Sequence, residues 1–183
     1  MMTLRYIFHS GFLIETARCI LVFDYWMDPA DVMSGLMNTC KHVYVFSSHF
    51  HEDHFTKAIF EWKESIHDIT YILSKDILKR RRAQKEDADV WMAKGTVWKD
   101  ENLKVTATGS NDSGVSWIVE TECKPSFTQA ICATGTHAFL LTARLKERSS
   151  VKSAVNTSIL WQRKSGSLVN LKTSERLPTR LTL

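Results

Sequence analysis

Ser47-Ser48-His49-Phe50-His51-Glu52-Asp53-His54 is the stretch on which the reading of this chain turns. Three imidazoles and the carboxylate of Asp53 fall within six residues, directly after the apolar run Val43-Tyr44-Val45-Phe46, which reads as a buried strand. Imidazole nitrogen and carboxylate oxygen are the donors that Zn²⁺ and similar borderline cations accept, and a loop at a strand end holds them on a rigid support. Extended backbone from Ser47 to His51 sends His49 and His51 to one side and Phe50 to the other, so both imidazoles reach one cation. Asp53 and His54 lie past the bend, placed for a second cation close by.

Upstream, Thr3 to Phe8, Phe12 to Glu15 and Cys19 to Asp24 read as three short strands, β-branched and aromatic, joined by the turns Ser10-Gly11 and Thr16-Ala17-Arg18. Connections this short predict an antiparallel meander. Asp28 to Thr39, with Pro29 and Gly35 and with methionines in or beside it at 27, 33 and 37, reads as a loop or short helix, either packing or edging a pocket. Downstream, Thr56 is a candidate N-cap for a helix to about Glu64 with Ile59, Phe60 and Trp62 on its apolar face. A strand follows at Ile69 to Leu73, and strand, ligand loop, helix, strand make an α/β unit. The charged run Lys75 to Asp87, with Arg80-Arg81-Arg82, reads as a solvated helix face. Val90 to Met92, Thr96 to Trp98, Leu103 to Thr108 and Val115 to Glu120 read as four more strands, the last two joined by the turn Gly109-Ser110-Asn111-Asp112-Ser113-Gly114.

The histidine motif resembles the signature of the metallo-β-lactamase superfamily. Thr3 to Glu120, about two-thirds of the chain, is similar throughout to a bacterial branch of small metallo-hydrolases. The resemblance is carried by Ile7 to Glu15 (I-F-H-S-G-F-L-I-E), Leu21 to Tyr25, the histidine motif, Tyr71 to Ser74 and Gly109 to Glu120. It implies an α/β (α+β) fold, the first half of a four-layer αββα sandwich, with the site at one edge of the sheets. It implies that His49 and His51 bind a first Zn²⁺, and that Asp53 and His54 bind a second while Asp53 also orients the nucleophile. Asp24 is implied to brace the histidine loop rather than ligate, and His9 to line the site. Mn²⁺ and Fe²⁺ suit the same donors. The activity implied is a metal-bound hydroxide attacking a small ester, lactone or phosphoester.

After Glu120 the resemblance stops. The family's later H-A-G-D-L motif, which supplies a third histidine and a bridging aspartate, is absent, as is its last histidine. Residues 124–183 hold 16 Ser+Thr and 10 Lys+Arg against 2 Asp+Glu; the first 123 residues therefore carry −4 and the remainder +8 of a total of +4. Back-translation of Lys124 to Thr136, read from the third base of the Cys123 codon, can spell Q-T-I-F-H-A-G-D-L-C-H-W-H. A frameshift between about Glu120 and Cys123 accounts for this. On this reading, residues 1–122 are the N-terminal part of a metallo-hydrolase domain, and 123–183 are a basic, poorly ordered tail with no native place in the fold. The rival, a nucleic-acid-binding arm, lacks basic residues and aromatics on a common face.

At 183 residues the chain is long enough to bury a core. It shows no apolar run of membrane-spanning length, and its four cysteines (19, 40, 123, 132) have no paired spacing. A cytoplasmic protein acting on a small-molecule substrate is expected, with two ligands present for each metal and activity impaired accordingly. A non-catalytic metal-binding or interaction fragment of the same ancestry is the alternative. A nuclease of the same superfamily would instead show salt-dependent binding to RNA or DNA.

Overall fold

The computed structural model describes residues 2–36, 38–110 and 112–124, with side chains to Thr121, and the backbone of 127–134, 137–143, 156–164 and 167–173. Two sheets form it. The first has six strands in sequence order: β1 (Thr3–Phe8), β2 (Gly11–Glu15), β3 (Cys19–Phe23), β4 (His42–Ser47), β5 (Ile69–Ser74) and β6 (Val90–Met92). Pairing is antiparallel from β1 to β3 and parallel from β3 to β6. Two-residue and three-residue turns permit the first arrangement, whereas parallel neighbours need the longer crossovers seen at 24–41, 48–68 and 75–89.

Alternation along each strand sorts the core into two layers. Phe12, Ile14, Leu21, Phe23, Tyr44 and Phe46 face the second sheet, where they meet Val105, Ala107, Val115, Trp117 and Val119. Phe23 stacks between Phe12 and Phe46 at 4.7 and 4.6 Å, and Phe46 meets Trp117 at 5.6 Å. Leu13, Ile20, Val22, Val43, Val45, Tyr71 and Leu73 face the other way, onto Ile59, Trp62, Ile66 and Ile77. The parallel strands β3 to β5 are buried on both faces, which is why they read as continuous apolar runs.

The helix expected at 56–64 is present as a 3₁₀ helix, Lys57–Glu64, with the Thr56 hydroxyl accepting from the Ala58 amide. Three residues per turn line up the buried Ile59 and Trp62 against the sheet. The charged run expected as one helix face is shorter: α1 is Lys75–Lys79, capped by Ser74. Arg81 at φ 58° sends the chain into left-handed backbone, and the Arg82 amide bonds back to the Ile77 carbonyl, ending the helix. Met33 packs in the outer core and Met27 is exposed, while Met37 lies outside the described residues.

The second sheet is antiparallel. It runs from β7 (Val97–Lys99) through β8 (Leu103–Gly109) and β9 (Val115–Lys124), and the backbone continues as β10 (Phe127–Thr134), β11 (His137–Ala143), β12 (Asn156–Lys164) and β13 (Ser167–Thr173). The Ser/Thr-rich composition beyond Lys124 gave no sustained strand period, so these pairings were not legible from pattern. The expectation of a poorly ordered tail falls partly on 144–155 and 174–183, which lie outside the described residues. Helix, sheet and sheet are thus three of the four expected layers; among the described residues no helix covers the outer face of the second sheet. No helix among them is long and apolar enough to cross a membrane.

Candidate metal centre

Parallel pairing puts the carboxyl ends of β3, β4 and β5 at one edge, the usual place for a site in an open α/β sheet. The β1–β2 turn and the β8–β9 turn arrive at the same edge. Asp24 follows β3, the histidine loop follows β4, Asp76 follows β5 and accepts from the Phe50 amide at 3.4 Å, and His9 sits in the β1–β2 turn.

Asp24 is buried and saturated. Its Oδ1 accepts from the Ser48 amide at 2.7 Å; its Oδ2 accepts from the Ser48 hydroxyl at 2.8 Å and from His54 Nδ1 at 2.9 Å. Its backbone is left-handed, φ 45°, with its amide bonded to the Phe46 carbonyl at 2.8 Å. This carboxylate therefore ties β3 to both ends of the histidine loop.

The hydrogen-bond chain fixes the His49 tautomer. The Ser48 proton goes to Asp24, so Ser48 Oγ accepts from His49 Nδ1–H at 3.0 Å, and His49 Nε2 keeps its lone pair. That Nε2 is buried, in a residue 1% exposed, with no hydrogen-bond partner. Burial, reinforced by the neighbouring His54, holds the His49 imidazole below its ordinary range, so the ring is neutral near pH 7.

Facing that nitrogen are His51 and Asp112. His49 Nε2 lies 3.4 Å and His51 Nδ1 3.6 Å from Asp112 Oδ2, and one donor atom from each of the three residues lies within 4.8 Å of the others. Ligands about 2.0–2.2 Å from a tetrahedral cation stand about 3.3–3.6 Å from each other. The donor set and the unanswered Nε2 thus fit a divalent cation.

His54 and Asp53 belong to a second cluster. His54 Nε2 is 3.3 Å from both Asp53 Oδ2 and Ser10 Oγ, and His9 Nδ1 is 3.3 Å from the same Asp53 oxygen and 3.1 Å from Ser10 Oγ. His9 holds this position with left-handed backbone, φ 50°, its ring edge-on to Trp26. Burial pulls the His54 imidazole down, but the Asp24 hydrogen bond and the charges of Asp24, Asp53 and Asp112 prevail and raise it above its ordinary value.

All six residues expected at the site, His9, Asp24, His49, His51, Asp53 and His54, meet at this edge, in two adjoining groups whose His49 and His54 rings are 3.9 Å apart. The ligand count expected for the first metal was two. It becomes three candidates with Asp112, which along the sequence is only part of a turn. The one signal for it was an acidic residue in a Gly-flanked hairpin turn, and nothing local says which strand end that turn opposes.

No family model and no curated protein matches the chain. Among solved structures it is similar to Igni18, described as a novel metallo hydrolase from the hyperthermophilic archaeon Ignicoccus hospitalis KIN4/I. The two share 19% identity, 74% of this chain, 61% of that chain and a TM-score of 0.54. A CmlA beta-hydroxylase E377D mutant is a weaker match: 13% identity, 63% of this chain, 27% of that one and a TM-score of 0.42. The chain thus spans less than two-thirds of the metallo hydrolase it matches. The described region has a metallo-β-lactamase-like fold that carries a candidate His-His-Asp metal site.

Proposed function

We propose that this chain is a metal-dependent hydrolase of the metallo-β-lactamase type, zinc-loaded and cytoplasmic, acting weakly on a small ester, lactone or phosphoester. The observation that carries the reading is the buried Nε2 of His49, without a hydrogen-bond partner and grouped with the donor atoms of His51 and Asp112. Such an atom costs about 1–3 kcal/mol unless something binds it.

His49 and His51 would hold the cation, and Ser48 and Asp24 keep His49 in its ligating tautomer. When bound, a divalent cation lowers the pKa of water and polarises a carbonyl or phosphoryl oxygen. Asp53, partly exposed at the rim, is the carboxylate assigned to orient the attacking water and take its proton. We assign the weakness to the second half of the site. On this proposal 1–122 is the N-terminal part of the hydrolase domain, 123–183 is read out of frame, and the coding DNA decides the matter: codons unable to spell H-A-G-D in the alternative frame would end the frameshift idea.

An esterase, lactonase and phosphodiesterase screen of the zinc-loaded chain tests the activity. Turnover above the metal-free control, abolished by His51→Ala, is expected. The engagement of His54 and of Asp53 Oδ2 by their neighbours favours a second reading, a metal-binding fragment without catalysis. Stoichiometric metal with no turnover on any of these substrates would establish it.

A further inference from the structure

We propose that the chain holds one divalent cation rather than two, and that its third protein ligand is Asp112, delivered from the second sheet. The inference rests on the metal-dependent reading above and specifies its site.

The turn that carries Asp112 is fixed against the histidine loop rather than left free beside it. The Val115 amide bonds to the Ser48 carbonyl at 3.0 Å, the residue immediately before His49. Gly114, at φ 68°, lies so close to that loop that a Cβ on it would stand 2.0 Å from the Ser48 carbonyl oxygen and 2.7 Å from His49 Cβ. Only glycine permits this approach, and it is the approach that sets the carboxylate two residues earlier over the His49 and His51 nitrogens. Two imidazoles and one carboxylate form a ligand set that leaves coordination positions open for water or substrate.

The other group of donors is arranged differently. His54 Nδ1 is bonded to Asp24, His54 Nε2 faces Asp53 and Ser10, and the same Asp53 oxygen is also shared with His9. Every polar atom of His54 and the Asp53 oxygen facing it has a protein partner, whereas His49 Nε2 has none within hydrogen-bonding geometry. A cation entering the second group must break these contacts. One entering the first breaks no hydrogen bond at His49 Nε2 and meets only the ion-pair approaches of His49 and His51 to Asp112.

The test uses the full chain stripped of metal with a chelator, titrated with Zn²⁺ against a chromophoric competitor, with bound metal counted after equilibrium dialysis. One zinc per chain is expected. Asp112→Asn should weaken binding by on the order of 100-fold or more, beyond what loss of a group that merely orients a ligand costs, with an unchanged far-UV spectrum and melting curve, since Asp112 is exposed. Asp53→Ala should leave the count at one and the affinity within about threefold. In the Co²⁺-loaded protein, Asp112→Asn should change the visible absorption bands and Asp53→Ala should not. Two zincs per chain, or wild-type affinity in Asp112→Asn while His49→Ala abolishes binding, would overturn this inference and leave the metal-dependent reading standing. No zinc binding to the wild-type chain would overturn both.

Discussion

The rings of His49 and His54 lie 3.9 Å apart on one loop, tilted to each other, yet their surroundings differ. Around His54 both ring nitrogens and both Asp24 oxygens are answered by protein groups, and the group braces β3 against the loop. Around His49 one buried nitrogen has no hydrogen-bond partner and only the ion-pair approach of Asp112 at 3.4 Å, and its neighbours His51 and Asp112 reach out to solvent. A saturated polar cluster stabilises a fold; an unsaturated one stores affinity for a ligand. The two groups should therefore separate under mutation into a structural one and a binding one.

Removing the brace should have the largest effect. Asp24→Ala leaves His54 and Ser48 buried without their acceptor, and a cost of about 3–5 kcal/mol is expected in urea unfolding of the metal-free chain. A loss below about 1 kcal/mol would mean that the His54 group does not hold the loop. Next comes Gly114→Ala, which combines left-handed backbone with a Cβ driven into the Ser48 carbonyl. It should destabilise by about 1–3 kcal/mol and weaken metal binding as well, because the turn must move away from His49. Loss of stability with zinc affinity intact would show that the turn carries no ligand.

Titration should divide the two rings. In the metal-free protein followed by ¹⁵N NMR, His54 should change charge above pH 6.5 and His49 below it. The linkage signs follow from these directions. The His54 proton stabilises the fold fully below 6.5 and that contribution is lost as pH rises through its raised value. His49 has a depressed value, so the unfolded chain takes up its proton first and stability falls as pH drops below 6.5. Both rings titrating on the same side of 6.5 would contradict the contrast. The smallest effect is expected at Asp112: Asp112→Ala should leave metal-free stability within about 0.5 kcal/mol, since the side chain is exposed and supports no packing.

Much of the fold was legible because its strands are short, apolar and sharply punctuated. β1 to β9 lie where alternation and turn residues placed them, to within a residue or two at most ends. Where a contact decided the geometry, pattern failed. The 57–64 segment became a 3₁₀ helix because Ile59 and Trp62 share one line against the sheet, and the 75–87 run broke at Arg81. Strand period vanished beyond Lys124, where polar and small residues dominate, so the backbone pairings of β10 to β13 left no pattern to read.

What the sequence determined by itself was the donor loop: His49 and His51 on one side of an extended segment, and Asp53 and His54 beyond its bend, follow from covalent spacing and strand geometry alone. The tertiary structure alone decided how those donors are shared. Parallel pairing of β3 with β4 brings Asp24 under the loop, where it takes His54 into a saturated cluster. The glycine approach of the β8–β9 turn brings Asp112, some sixty residues later in the chain, over His49 and His51. Proximity of that kind depends on sheet register and on which backbones can touch, and neither is written in the spacing of residues along the chain.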